Sequence, residues 1–519
     1  MRVPRLLPLF VVGCVLLGGA CSGSAPADPG TLVVGLEANP TNLDPRLATG
    51  AAAVRIIPLL FNSLLRLDPA GQPAPELAIS WETPSPTSYV LHLRRGVRFH
   101  DGSELTSADV RYTYDWMRDP KNRSPNQGAL AVVTAIETPD PATVRFTLKE
   151  PFASFLLNLT LGIVPAHLGD AKDFAEMPVG SGPFRWGEWQ PGERLVVRAF
   201  DDSWEGRPRL DRVVFRILSN ETTRLLEARR GNIDLLWNNI PPYAVPFLRE
   251  SSRLAVTTRP GIAYQYLGFN LQDRILREPR VRRAIAHAID RDRIIAALFL
   301  GLARPAATLL APGNWAHAAD VVAYPHDPAL ARRLLDEAGF PVRPDGARFT
   351  LSYKTSTERQ GIEMADLVAE DLAAVGIRVE RRSFEWGTFY GDIKAGNFQL
   401  YSLRWVGITD PDTLHYIFHS ASVPPAGANR GHYANVEVDR LLEASRRESG
   451  PAARRTELVD AQKLIAADCV YVSLWYPDDI YALASRFEGF EPYPGGQYTS
   501  LKQVRAKSAS LRAGPGAAQ

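Results

Sequence analysis

"FTLSYKTSTERQGIEMADLVAEDLAAVGIRVERRSF" occupies residues 349–384, and its reading decides the fold. Residues 349–355 read as a strand, 359–375 as a helix, and "IRVERRSF" as a second strand. A short helix from Trp386 follows, then the strand "FQLYSLRW" (398–405). The same alternation occurs earlier, where "DRVVFRIL" (211–218) leads through the helix "NETTRLLEARRG" to the strand "IDLLW" (233–237). Strand, helix and strand at these spacings predict crossover units in mainly parallel sheets, and hence α/β lobes. Between the two units, "PRVRRAIAHAIDRDRIIAALFLG" (279–301) predicts an amphipathic helix pair with Ile285, Ala288 and Ile289 on one face.

A chain of 519 residues with 45% apolar content is too long for one core, so two or three lobes are expected. The formal net charge is only +2, spread along the chain without a basic patch, which argues against a nucleic-acid partner. In the amino-terminal third, "YVLHLRRGVRFHDGSELTSADVRYTYDW" (89–116) combines an alternating strand, a His100-Asp101-Gly102 turn and a helix start. Thr106 and Asp109 read as a capping box, and Val110, Tyr114 and Met117 as one apolar helical face. No nucleophile lies near the His-Asp pair, so the stretch is scaffold. "GSGPFRWGEWQPGERLVVRAF" (180–200) reads as a hairpin turning at Gln190-Pro191-Gly192. Its glycines are not a phosphate cradle, because no Lys-Ser/Thr pair follows and the next element is a strand.

The chain opens with a short basic segment, runs apolar from Leu6 to Ala20 and reaches Cys21 and "SGSAPADPG". That pattern is an export signal, with an apolar run too short for a membrane span of about 20 residues. Cys21 follows small residues in the manner of a bacterial lipoprotein junction, where the cysteine is acylated; an ordinary cleaved signal is the alternative. Beyond the leader, 1–21, only Cys469 remains, which excludes an intrachain disulfide and a thiolate metal site. Its apolar surroundings, "LIAADCVYVSLWY", predict a buried small side chain.

In open α/β sheets, ligands bind beyond the carboxyl ends of strands. That rule selects "WVGITDPD" after residues 400–404, with Trp405, Gly407 and Asp410, and Trp237, Asn238 and Asn239 after "IDLLW". Each tryptophan either lines a cleft or plugs a lobe core.

The strings "LVVGLEANPTNLDP", "PELAISWE", "LRRGVRFHDGSELTSADVRYTY", "GSGPFRW" and "YLGFNLQD…VRRAIAHAIDRDRII" resemble the bacterial extracellular solute-binding proteins of family 5, the peptide- and nickel-binding receptors of ABC importers. The resemblance runs from about Thr31 to about Val504. It implies a fold of the periplasmic-binding-protein type II kind, two α/β lobes joined by hinge strands, with an extra subdomain in lobe one. Mapped onto this chain, 1–21 is the leader and 22–30 a tether. Lobe one is 31–60, 176–262 and 480–505, the extra subdomain 61–175, lobe two 263–479, and 506–519 a loose tail. The hinges fall at "YQYLGFN" (264–270) and "VSLWYPDD" (472–479).

The family's ligand anchors carry over in part. The Trp-x-Gly after the lobe-two strand matches Trp405 to Gly407, but Ile408 stands where dipeptide-type members carry an acid for the ligand's amino group. Thr355 stands where they carry an arginine for its carboxylate, with Lys354 and Arg359 nearby. A longer peptide or a different solute is therefore expected in place of a simple dipeptide. Nickel-type members raise the question of His415, His419 and His432, of which the first two are four apart; a pair without a third ligand reads as structural, and no metal site is assigned. The expectation is a monomeric, non-catalytic, lipid-tethered receptor at the outer face of the cell envelope, needing no cofactor and presenting a peptide or other small solute to a membrane permease. Trp405, Asp410, Arg404, Trp386 and Tyr264, with Asn42 from lobe one, are the expected lining. An exported hydrolase finds no support, since G-x-S-x-G and H-E-x-x-H are both absent. A receptor that signals to a sensor remains the alternative use of the same binding event.

Overall fold

The computed structural model describes residues 28–507 apart from 69, 238, 239, 449 and 494. The leader with Cys14 and Cys21, the tether up to residue 27, Asn238, Asn239 and the tail from 508 lie outside the described residues.

The crossover units form where the sequence spacing puts them. Thr31–Leu36 pairs in parallel with Arg212–Ile217 and with Leu235–Trp237, and the helix Glu221–Arg230 carries the chain between the last two. Asn220 caps that helix through the Thr223 amide, and Gly231 closes it at φ +85°. In the second unit Phe349–Ser356 pairs in parallel with Ile377–Phe384 and with Leu400–Trp405, across the helix Arg359–Ala373. That helix ends two residues before the predicted Val375, because Gly376 takes a left-handed conformation that stops it.

The expectation of mainly parallel sheets is corrected. Each crossover unit contributes a parallel pair of ladders, and the remaining ladders are antiparallel. One reason is the hairpin Phe184–Gln190 and Arg194–Ala199, which turns where expected, with Gly192 at φ +78°. The other is that strands enter each sheet from the opposite lobe. Leu254–Arg259 belongs to the seven-stranded sheet and Tyr264–Phe269 to the six-stranded one; Tyr471–Pro477 returns in the latter and Asp479–Ala484 in the former. The chain thus crosses between the lobes at residues 260–263 and again at Asp478. At the crossing the backbones touch, since a Cβ on Gly261 would lie 2.2 Å from the Pro477 carbonyl oxygen. Arg304 clasps the junction, donating to the Gly261 carbonyl at 3.0 Å and lying 3.7 Å from Asp478.

A four-stranded antiparallel sheet, in the order Ala78–Ser85, Ser88–Leu93, Thr143–Leu148 and Val133–Asp140, stands on its own core of Tyr89, Leu91, Tyr114, Phe146 and Phe155. The helix Ser107–Arg118 packs beneath it and starts as the sequence requires, with the Thr106 amide and hydroxyl donating to Asp109 at 2.9 and 3.1 Å. His100 is scaffold too. Its Nδ1 accepts the Gly180 amide and its Nε2 meets the Gly182 carbonyl, both at 3.1 Å. Burial holds its pKa down to about 4, so the imidazole stays neutral. Gly180 and Gly182 press against the carboxyl end of the helix Ala51–Leu60, where any side chain would strike the Leu59 and Leu60 carbonyls.

Among the described residues, no helix is long and apolar enough to cross a membrane. Cys469 is fully buried, and burial pushes its thiol up to about 12.

Candidate functional site

The strand Leu400–Trp405 ends between the two lobes. Antiparallel pairing with Tyr264–Phe269 sets Tyr264 opposite Trp405 and Gln265 opposite Arg404. Because side chains alternate, Tyr401, Leu403 and Trp405 face one core while Leu400 and Arg404 face the other side. Gly407, at φ +67°, then turns the chain, and Ile408 buries itself in the Trp405-side core at 7% exposure.

Trp405 anchors an aromatic and guanidinium ladder. The Arg430 guanidinium stacks 5.0 Å over its ring and 5.5 Å over Tyr390, and donates to the hydroxyls of Tyr266 and Tyr390 at 3.0 and 3.3 Å. Tyr390 stacks on Trp386 with centroids 5.6 Å apart and planes within 4°. Trp386, on the first turn of the helix Trp386–Lys394, remains 53% exposed. Tyr416 completes the wall edge-on to Trp405. The Trp405 indole N–H is buried without an acceptor among the described residues. The sequence flagged Trp386 and Trp405 but missed Arg430, Tyr390 and Tyr416. Arg430 sits in an irregular turn, "GANRGHY", where no periodicity betrays it.

Arg404 is reached by solvent, yet the protein surrounding it desolvates the guanidinium and pushes its pKa down, opposed by the charge of Glu358. Among the described residues it has neither an ion pair nor a side-chain hydrogen bond. Other cations near the cleft are occupied. Lys354 donates to Asp392 at 2.6 Å, and Arg359 lies 3.6 Å from Glu363 and 5.1 Å over Tyr243, a contact that bridges the lobes. Thr355 is 2% exposed and offers no anchor.

The remaining expected residues are placed differently. Tyr264 is 2% exposed, its hydroxyl bonded to Ser473 at 2.7 Å and its ring stacked on Tyr266, so it is spent on the lobe-two core. Asn42 uses its side-chain carbonyl to accept the Asp44 amide at 2.7 Å, fixing its own loop. Trp237 is 2% exposed between Phe490 and Tyr498, so of its two readings the core plug holds.

Asp410 faces a second inter-lobe contact. Ser154, beyond the four-stranded sheet, donates to it at 3.0 Å and accepts from Arg454 at 2.6 Å. The Asp412 amide also donates to Asp410, and Arg446 pairs with Asp412 at 2.9 Å while its carbonyl accepts the Ala153 amide. Burial first, then the neighbouring Asp412 charge, raise the Asp410 pKa to about 6. His415 stacks on His419 at 4.3 Å and faces Arg446 at 3.3 Å; burial and that guanidinium push its pKa down to about 3. No cluster of three or more metal-ligating side chains occurs among the described residues.

The family model of the bacterial extracellular solute-binding proteins, family 5 (middle region), matches residues 72–424. The chain belongs to this family. Family 5 relatives cover nearly its whole length. The oligopeptide-binding protein AppA of Bacillus subtilis is 27% identical, with 94% of this chain and 96% of that protein covered. Its structure with a nonapeptide superposes with a TM-score of 0.77 at 26% identity, covering 92% of this chain and 99% of that one. The glutathione-binding protein GsiB of Pectobacterium atrosepticum is 30% identical over 89% of this chain and 91% of its own. The ABC transporter substrate-binding protein CtaP of Listeria monocytogenes superposes with a TM-score of 0.84 at 25% identity, covering 92% of this chain and 99% of that one. This family 5 member therefore has the two-lobed type II fold of the binding proteins that serve ABC importers.

Proposed function

We propose that this protein captures a peptide-like solute between its lobes, without catalysis, and delivers it to an ABC permease from the outer side of the membrane. The observation that carries the reading is the wall of Trp386, Tyr390, Arg430 and Trp405, which stands at the carboxyl end of a lobe-two strand, beside the inter-lobe contact of Arg359 with Tyr243. Aromatic walls with a few placed polar groups are the lining of small-ligand clefts. Contacts made by both lobes only in the closed state shift the open–closed equilibrium towards closure when solute binds. The domain scheme is lobe one at 31–60, 176–262 and 480–505, an extra subdomain at 61–175 and lobe two at 263–479. Acylation at Cys21 would tether a monomer by its lobe-one end.

The test is native mass spectrometry of the mature chain expressed from Ser22. A spread of retained masses that fragment to amino-acid ions, lost in Trp405→Ala, is the expected result. One discrete non-peptide mass would overturn the peptide reading.

A further inference from the structure

Buried or half-desolvated guanidinium groups ordinarily meet an anion, because a cation taken from water without a partner is costly. In this molecule such groups find acceptors: Arg46, Arg348 and Arg446 pair with Asp44, Asp336 and Asp412, and Arg224 and Arg282 donate to backbone carbonyls. Arg404 breaks the pattern. It stands exposed at the cleft end of the strand Leu400–Trp405, beside protein that lowers its pKa, and makes no ion pair or side-chain hydrogen bond among the described residues. The single charge that reaches it, Glu358, caps the helix Arg359–Ala373, is exposed and lies outside ion-pair range. The following residue, on the opposite face of the strand, adds a second donor without an acceptor among the described residues, the Trp405 indole N–H. A third group, Arg430, has only tyrosine hydroxyls as hydrogen-bond partners among the described residues. Donors without matching acceptors thus stand on both faces of this strand end, and on the Arg404 face the unmatched donor is an exposed charge.

We propose that the solute carries an anionic oxygen group, a carboxylate, that seats on Arg404, and that this seat sets affinity. The proposal rests on the solute-binding reading above and deepens it. Arg404's planar fork suits bidentate pairing with a carboxylate. Within a peptide-like solute that group is either the terminal carboxylate or an acidic side chain, and the experiment separates the two.

Binding is measured on the mature chain by calorimetry with three synthetic libraries of three- to nine-residue peptides. The first has free carboxyl termini and no Asp or Glu, the second is the same library as terminal amides, and the third consists of amides containing one Glu. The wild type is expected to bind the first library about 10- to 100-fold more tightly than the second, the range of one charge-assisted hydrogen-bonded pair. Arg404→Gln is expected to remove that difference while leaving the unfolding midpoint unchanged, since the side chain holds no partner among the described residues. Recovery of affinity with the third library assigns the seat to a side-chain carboxylate. Equal affinity for all three libraries, unaltered in Arg404→Gln, overturns the anion seat and leaves the peptide reading intact. If no library binds, the peptide reading fails. Thermal shifts with di- and tricarboxylic acids then judge the seat: a shift abolished by Arg404→Gln upholds it, and no shift overturns it.

Discussion

Replacing Asp410 by Asn tests how its carboxylate is used. The side chain accepts from Ser154 and from the Asp412 amide, and Arg454 lies 3.8 Å away. Its pKa nevertheless rises from the ordinary 3.8 to about 6, because burial and Asp412 outweigh those partners. The folded state therefore holds the proton more tightly than the unfolded chain. Stability from this group is full below pH 4, declines as pH rises through 6, and is lost above 7. The gap corresponds to roughly 3 kcal/mol if no water reaches the group. The side chain retains 28% exposure, so solvent relieves part of the penalty and about 1–2 kcal/mol is the working figure. Asn keeps an oxygen for Ser154 and the Asp412 amide while removing the charge. Denaturant unfolding at pH 4.5 and 7.5 should find Asp410→Asn close to wild type at the lower pH and about 1–2 kcal/mol more stable, relative to wild type, at the higher. A difference that stays flat between the two pH values would refute the reasoning, since the charge would then not be penalised by its surroundings.

Three further outcomes follow from packing. Trp237→Ala removes a ring locked between Phe490 and Tyr498 and should cost about 3–5 kcal/mol in denaturant unfolding, with solute affinity per folded molecule unchanged. Gly261→Ala forces a methyl against the Pro477 carbonyl and should lower stability by about 1–3 kcal/mol, read as a lower thermal midpoint. The Cys469 thiol, buried and held protonated, should resist a thiol reagent in the native protein and react at the unfolding rate, so labelling faster than unfolding would contradict its placement.

Much of the fold was legible because it rests on local signals. The capping box at Thr106 and Asp109, the turn at Gly192 and the two crossover units each declare themselves within a few dozen residues. Strand direction was not legible in the strands that arrive from the other lobe, because nothing in Tyr264–Phe269 or Asp479–Ala484 states which edge it joins. The candidate site divides the same way. Trp405, Arg404 and Trp386 follow from the position of a strand end and a helix start. Arg430 and Ser154 come from turns remote in sequence, and only the folded chain brings them to Trp405 and Asp410. Tyr264 could not be placed from sequence, because a tyrosine on a hinge strand reads alike whether its hydroxyl meets a solute or, as here, Ser473.

The paired crossings at Gly261 and Asp478 have a mechanical corollary. Two connections that touch restrict the lobes to one stiff axis, where a single flexible linker would have allowed free tumbling. Around such an axis the girth of the cargo is converted into an angle. Ser154 and Asp410 meet across the lobes, so any rotation about that axis changes their separation.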